Sequence, residues 1–579
     1  MITKLSFFNY KAFRKGEIKL KPITILLGAN SVGKSSIINL ILMLQQTASS
    51  KVYKSALRLH GANVSLGECE NIFRNKDTSK DLKFEIEFTS DDLNRLLKKL
   101  LFDDFIENLI HPIQILYRFP ESEFDESTRL ELKKFFDESG QVNSGVYTSK
   151  NVFSDLLKYI ETFKNNLPLL DKSSEFVKYY VKKGYFDFYN EEHKLLSLFQ
   201  FLNALRKIKS NVFCLSFDCC FIRVNDENIV KIKKVVLAHE QNEILNIRLA
   251  INNNHTAYSD IDITSSFIDG KELLDKKSKS ELLQLINYNS TIFSWVPLNN
   301  YQVKDFFFIN NEPSELSSVT TVMLRILDEA ISSIKGQFVR ELVNHVSPLR
   351  AHPKRYYFLD QANINTTLDT LDGNSLTEIL KENVKVKNKV NTWLQTFGLK
   401  VDVSTLQDVI HKLKIQQYSL DLDITDVGFG ISQILPIIVQ GFLSFNGSLT
   451  MVEQPEIHLH PKMQAELADL FIDIALGDHT KSKYGDESNL RNRKKYLLVE
   501  THSEYLLKRL IRRISEGKVS REDIAVYFIE PPTADNDSAS IIEKEISKNG
   551  IFEWPRDFYE GELSKDNANY VKQLFCQQR

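Results

Sequence analysis

Gly28-Ala29-Asn30-Ser31-Val32-Gly33-Lys34-Ser35, preceded by Ile23-Thr24-Ile25-Leu26-Leu27, decides the fold of this chain. The run before the first glycine is short, β-branched-rich and follows Pro22, which predicts a buried strand; the mostly apolar residues Ser35 to Thr47 predict a buried helix. Gly28 and Gly33 allow a tight turn whose backbone N–H groups point inward at a phosphate, and the helix N-terminus adds its partial positive charge. Lys34 can reach the outer phosphates, Ser35 is the expected Mg²⁺ ligand, and Ala29, Asn30, Ser31, Val32 and Ser36 complete the loop. The pattern implies a nucleoside triphosphate site.

With 579 residues and 42% hydrophobic content, the chain is long enough for two or three packed domains. Its 74 Lys and Arg against 76 Asp and Glu, and a pI near 6.7, give no bulk attraction to nucleic acid or anionic membrane, so any nucleic-acid contact needs a local patch. Met1-Ile2-Thr3-Lys4-Leu5 has no signal-peptide pattern, and charges interrupt every apolar run before it could span a bilayer, which predicts a soluble cytoplasmic protein without a membrane partner. Cys69, Cys214, Cys219, Cys220 and Cys576 form neither a zinc ribbon nor a disulfide framework and read as small core residues in a reducing compartment.

Leu5 to Phe13 reads as an edge strand, followed by a second strand near Ile18. Leu82 to Phe88, Phe213 to Phe221 and Leu245 to Ile251 alternate apolar and polar residues, as antiparallel strands with one buried face do. Between the first two of these, 91–208 reads as a helical insertion. A long helix is predicted from Ser318 to Val346, with Val319, Met323, Ile326, Ala330, Ile334, Phe338 and Leu342 on one stripe. From Asp426 the pattern changes to buried strands at Leu449–Glu453, Tyr496–Glu500 and Ile524–Ile529, separated by helices from Pro461 and from Ser503. The organisation expected is 1–90 as the first part of a nucleotide-binding head, 91–208 helical insertion, 209–316 β-rich lobe, 317–425 helical linker and lobe, and 426–579 as the rest of the head.

Leu449-Thr450-Met451-Val452-Glu453 is an apolar strand ending in an acid, the form needed to hold Mg²⁺ or its water, so Glu453 joins Ser35 as a candidate metal ligand. The string continues as Gln454-Pro455-Glu456-Ile457-His458-Leu459-His460-Pro461. Upstream, Asp426-Val427-Gly428-Phe429-Gly430-Ile431-Ser432-Gln433 places two glycines and a hydroxyl at a helix start, a second phosphate-binding surface through Gly428, Gly430 and Ser432; its structural alternative is an ordinary helix cap. Leu497-Leu498-Val499-Glu500-Thr501-His502-Ser503 ends a strand in a histidine able to bond a γ-phosphate or the attacking water.

Taken together, Asn9-Tyr10-Lys11-Ala12-Phe13, Gly28 to Ser36, Gly428 to Gln433, Glu453 to Pro461 and Glu500 to Ser503 resemble the ABC-type ATPases of the SMC and overcoming-lysogenization-defect lineage. They resemble in particular the stand-alone prokaryotic AAA ATPases of antiphage systems, such as PtuA of Septu and the ATPases of some retron operons. The resemblance covers the two ends of the chain and leaves the helical insertion uncovered. It implies an α/β fold, an ABC-type, SMC-like P-loop ATPase head split by a large, mainly helical insertion with an antiparallel β lobe. It further implies ATP and Mg²⁺ as cofactors, and a homodimer with two ATP molecules sandwiched between heads, open to higher assembly. Each nucleotide would be held by the Lys34 loop of one copy and the Gly428 to Ser432 signature of the other, with Glu453, Gln454, Glu456 and His502 as the catalytic set. His458 and His460 would then lie near the subunit boundary rather than form a zinc site. Where the lineage places a water-polarising Glu, this chain has Gln454, and an amide cannot take a proton. Either Glu456 substitutes or hydrolysis is slow. Gln45 and Gln46 read as helix surface.

Two functional readings follow. In the first, the chain is the ATP-hydrolysing sensor of an antiphage system; the stretch after His502 is too short for the nuclease that overcoming-lysogenization-defect proteins carry there, so an effector such as an HNH-type nuclease is expected as another polypeptide. In the second, it is a DNA-repair or chromosome-maintenance clamp, for which Arg491-Asn492-Arg493-Lys494-Lys495 and Lys231 to Lys234 are candidate nucleic-acid contacts, although such runs are usually solvated surface. A third reading, a nuclease in its own right, finds no support: Asp103-Asp104 and Glu191-Glu192 sit on amphipathic patterns.

Overall fold

In the computed structural model, Ile23–Gly28 is a strand buried at every position, as a strand covered on both faces of a parallel sheet must be. It pairs in parallel with Tyr496–Glu500 on one side and Ile524–Glu530 on the other. Leu449–Glu453 pairs in parallel with Tyr496–Glu500, Val343–Val346 with Leu449–Glu453, and Ser540–Glu543 closes the far edge antiparallel to Ile524–Glu530. A strand from the start of the chain thus lies inside a six-stranded sheet whose other members all come from beyond residue 342. This is the expected α/β head split by a long insertion. The structure describes residues 1–50, 54–101, 192–268, 276–286, 288–296, 318–339, 341–358, 373–406, 410–418, 420–477 and 494–554, with a few isolated positions between them.

The helices that return the chain between parallel strands are set by local chemistry. Lys34–Ala48 follows Gly33, whose φ of 113° only glycine adopts readily. Pro461–Leu476 starts on proline with the His460 ring accepting from Lys462 N, and Glu504–Ser515 starts with Ser503 Oγ accepting from Leu506 N. The apolar faces of the last two meet helix Phe429–Leu443 in one core through Leu467, Phe471, Leu507, Leu510, Ile434 and Ile438.

Two compact units make up the chain, residues 1–88, 216–232 and 334–579 in the first and 89–215 and 233–333 in the second. In the first, Ile2–Tyr10 pairs antiparallel with Phe13–Lys19 on one side and with the Leu82–Thr89 strand on the other. It is therefore not the edge strand its mixed pattern suggested: Leu5 and Phe7 are buried, and its polar residues Lys4 and Ser6 face the carboxylates Glu17 and Glu87 of the flanking strands. The second unit holds helix Asp91–Lys99, capped by Ser90 Oγ, helices Glu192–Leu205 and Lys276–Leu285, and the antiparallel pair Asn242–Ile251 and Tyr258–Thr264. The expected insertion 91–208 is helical at these first two places, and most of the rest of it lies outside the described residues. No helix among the described residues is long and apolar enough to cross a membrane.

The long helix expected over Ser318 to Val346 ends at Lys335. Gly336–Phe338 forms a single 3₁₀ turn and Val343–Val346 is a strand. Helical spacing of apolar residues continues past Gly336, but a glycine costs little to break at, and the backbone from Val343 gains a ladder with Leu449–Val452. Within 317–425, expected as helical linker and lobe, helices Asn374–Glu382 and Val384–Leu394 are followed by an antiparallel sheet of Leu399–Leu406, Ile410–Gln417 and Leu420–Asp423.

Gly16 stands opposite Phe7 in the hairpin, and a Cβ there would lie 2.3 Å from the Phe7 ring, which is fully buried and packs edge-on against Phe13 at 5.3 Å. Gly16→Ala is expected to destabilise the protein by about 1–3 kcal/mol through overpacking; an unchanged thermal midpoint would refute the tight fit.

Candidate nucleotide site

The loop strand ends at Gly28, where φ is 146° and a Cβ would lie 2.5 Å from the carbonyl oxygen of Ile529 on the neighbouring strand. Any side chain there would push the two strands apart. Ala29, Asn30, Ser31 and Ser35 are exposed, whereas Val32 is buried beneath the loop, so the loop presents backbone and hydroxyl groups outward over an apolar foot. Ser31 has a φ of 63°, the left-handed kink that turns the chain back, and Ser36 N donates to Gly33 O as the helix begins. Lys34 is buried, its Nζ donating to the carbonyls of Gly28 at 3.0 Å and Ala29 at 2.7 Å.

Two strand ends supply the acids. Glu453 and Glu500 stand opposite each other in the parallel register, and Glu500 is level with Leu26 of the loop strand. Ser35 Oγ donates to Glu500 Oε2 at 3.0 Å, and Lys34 Nζ lies 3.8 Å from Glu500 Oε1. Glu453 bonds on both sides, its Oε1 2.7 Å from His345 Nε2 and its carboxyl in hydrogen-bond contact with that of Glu500. Arg350 Nη2 donates to the carbonyls of Glu453 and Gln454, holding the turn in which Gln454 takes a φ of 46° and Gln454 N donates to Glu500 O. Glu456 accepts from Thr501 Oγ1 and from His502 N, both at 2.7 Å, so its two oxygens fix the turn that carries His502. The His502 Nε2 atom is buried without a protein partner.

Sequence reasoning missed Glu500, His345 and Arg350 as members of this cluster. Glu500 was visible as an acid at a strand end, but which strand stands next to the loop is a property of sheet order. His345 was hidden by the helix expected across it, and Arg350 lies just beyond that helix with no motif around it to mark it. The signature segment is not joined to the loop in the same copy. Phe429 packs against His458 at 4.9 Å and His352 at 5.4 Å, Ser432 Oγ donates to Phe429 O, and a Cβ on Gly430 would lie 2.6 Å from His458 O. Gly428 has open space around its Cβ position at the uncapped start of helix Phe429–Leu443. Gln45 and Gln46 are not helix surface. Both are buried, Gln45 Nε2 donating to Val343 O and Gln46 Nε2 to Arg58 O, because the helix end is wrapped by the segment that follows it.

Three lysines of the candidate basic runs bond internally. Lys231 is buried, donates to Lys54 O and is lowered to about 8 by burial. Lys494 pairs with Asp523 at 2.6 Å, and Lys495 donates to Gly441 and Phe442 carbonyls; Arg491 to Arg493 lie outside the described residues.

The loop N–H groups, a buried ammonium, an exposed hydroxyl, two carboxylates and the unpartnered His502 nitrogen together suit a triphosphate and its divalent cation. Burial, and then the neighbouring Glu453 carboxylate, push the Glu500 carboxyl up to about 7 against the opposing pull of Lys34 and Ser35. Burial lowers Lys34 and, aided by the Lys34 charge, lowers His502, which favours a neutral imidazole. Burial raises Glu456.

A carboxyl raised in the folded state binds its proton more tightly there, so its contribution to stability is greatest at low pH and is lost as pH rises from the unfolded value through about 7. Removing the charge with Glu500→Gln is therefore expected to raise the thermal midpoint of the nucleotide-free protein at pH 8 relative to its effect at pH 5, by the equivalent of about 1–3 kcal/mol. Equal effects at both pH values would contradict it.

A family model described as AAA ATPase domain matches residues 1–507. No curated protein matches the chain. Among solved structures, an SMC head bound to the C-winged helix domain of ScpA is similar at 9% identity, with 94% of this chain and 98% of that one covered and a TM-score of 0.33. The SMC head domain from Thermotoga maritima is similar at 8% identity, with coverages of 93% and 98% and a TM-score of 0.30. A Smc head with an extended coiled coil, bound to the C-terminal domain of ScpA and derived from Pyrococcus furiosus, stands at 8% identity, 94% and 96% coverage and a TM-score of 0.31. Scores this low leave the fold reading to the sheet order and the loop themselves. With the family match running over most of its length, and the phosphate loop at Gly28 as the element that such a domain requires, the chain belongs to the AAA ATPase domain family and is an ATPase-type enzyme.

Proposed function

We propose that this chain binds and slowly hydrolyses ATP with Mg²⁺ as a homodimer of ABC-type heads, and serves as the sensor subunit of an antiphage system that controls a separate effector nuclease. The observation that carries the ATPase reading is the convergence of Lys34, Ser35, Glu453, Glu500 and His502 on one end of one parallel sheet. ATP with its cation supplies the phosphoanhydride bond to be cleaved. Loop N–H groups and Lys34 would bind and orient its phosphates, Ser35 and the strand-end carboxylates would hold the cation, and His502, held by Glu456, would offer its Nε2 to the outer phosphate or the attacking water.

Slow turnover is supported by the residue after Glu453, an amide where the lineage has a water-polarising carboxylate. Gln454 cannot accept a proton, and both Glu456 oxygens already accept hydrogen bonds from Thr501 and His502. A protein that holds ATP for long periods suits a sensor better than a motor. Support for the dimer comes from the signature helix, whose start leaves open space around the Gly428 Cβ position while Phe429 and Gly430 pack against His458. The defence setting and the effector rest on the resemblance of the motifs to stand-alone antiphage ATPases. The clamp reading is weakened by the internal bonds of Lys231, Lys494 and Lys495.

Purified protein is expected to hydrolyse ATP weakly, and Lys34→Ala to abolish turnover; unchanged turnover in that variant would sink the site assignment. Expressed with its neighbouring genes, the wild-type chain is expected to lower phage plating and Lys34→Ala to restore it. Equal plating for wild type, Lys34→Ala and an empty vector would remove the defence reading and leave the ATPase standing.

A further inference from the structure

We propose that Glu500, one strand nearer the phosphate loop than Glu453, is the carboxylate through which this site takes its divalent cation together with the Ser35 hydroxyl. The inference rests on the ATPase reading and deepens it, because the motif alone assigns that task to Glu453.

Sheet order is the first argument. Tyr496–Glu500 lies between the loop strand and Leu449–Glu453, so Glu500 is the strand-end acid adjacent to the loop and Glu453 is one strand removed. Backbone bonds hold it there on both sides, since Thr501 N donates to Leu26 O and Gln454 N donates to Glu500 O. Side-chain partners are the second argument. Glu500 Oε2 already accepts from Ser35 Oγ at 3.0 Å, while its Oε1 is 3.8 Å from the Lys34 ammonium. A hard cation selects oxygen ligands, and one taken by the Ser35 hydroxyl meets a Glu500 oxygen before any other carboxylate shown to bond this loop.

Glu453 has a different set of neighbours. Its Oε1 is 2.7 Å from His345 Nε2 on the strand beyond it, its carboxyl meets the loop only through that of Glu500, and its carbonyl is gripped by Arg350. These contacts fit a supporting acid that bonds cation-bound water from behind Glu500. The two glutamates thereby divide a task that a single acid would otherwise perform, and Glu500 takes the part that touches the cation.

The test uses the full chain, Mn²⁺ as the cation probe read by electron paramagnetic resonance, and the non-hydrolysable analogue AMP-PNP. Glu500→Gln is expected to weaken Mn²⁺ binding in the AMP-PNP complex by about tenfold or more, and Glu453→Gln by clearly less. AMP-PNP binding in EDTA, where no cation bridges carboxylate and phosphate, should be no weaker than wild type in either variant, which shows that each is folded and that the loop works. Glu500→Asp provides a second variant that keeps the charge but draws it back by one methylene, and it too should weaken Mn²⁺. Wild-type Mn²⁺ affinity in both Glu500 variants, or a larger loss in Glu453→Gln than in Glu500→Gln, overturns the assignment. Failure of the wild-type chain to bind AMP-PNP at all, with or without Mn²⁺, instead overturns the ATPase reading beneath it.

Discussion

The structure depends on the parallel insertion of Ile23–Gly28 between Tyr496–Glu500 and Ile524–Glu530. That pairing brings the phosphate loop to the ends of strands encoded far away, and it is close enough that Gly28 has no room for a side chain against Ile529 O. The loop owes its shape to this neighbour as much as to its own glycines. Once the strand is in place, the level of Leu26 sets the level of Glu500, and the level of Glu500 sets that of Glu453.

A second layer of constraint lies in the turns beyond the strands. Gln454 and His458 both take left-handed φ values, 46° and 62°, which bulky residues hold only when their surroundings demand it. Arg350 and Glu500 hold the first through backbone bonds, and Gly430 and Phe429 press on the second. Glu456, between them, is tied to Thr501 and His502. The signature helix, the acid turn and the histidine turn thus form one bonded series within a copy, so a ligand that displaces Phe429 or Gly430 also loads the turn that carries His502.

Much of this was legible in the chain. Ile23 to Leu27 declares a buried strand through composition alone, and Gly28, Gly33, Lys34 and Ser35 declare the phosphate loop, because those residue types have few other uses in that order. The strand at Leu449–Glu453 and the helices from Pro461 and Ser503 were also readable, since periodicity and caps are local. Lateral order was not. Nothing in Tyr496–Glu500 states that it separates the loop strand from Leu449–Glu453, and so Glu500 looked like a residue in front of a histidine. Val343–Val346 failed for a related reason: its partner, Leu449–Val452, is remote, whereas the helical spacing that misled extends from the residues immediately before it. Gln45 and Gln46 failed because a polar side chain on a helix is read as solvated unless its distant acceptors, Val343 O and Arg58 O, are known.

The split head also has a consequence for synthesis. A chain emerging amino end first exposes Ile23–Leu27 long before Tyr496–Glu500 and Ile524–Glu530 exist to flank it. Through that interval the most apolar strand of the sheet carries unpaired backbone on both edges, the condition under which nascent chains aggregate or recruit chaperones. The nucleotide site cannot be completed before both flanking strands have been made, so a ribosome that stalls before Ile524 releases a chain that has every loop residue and no working loop.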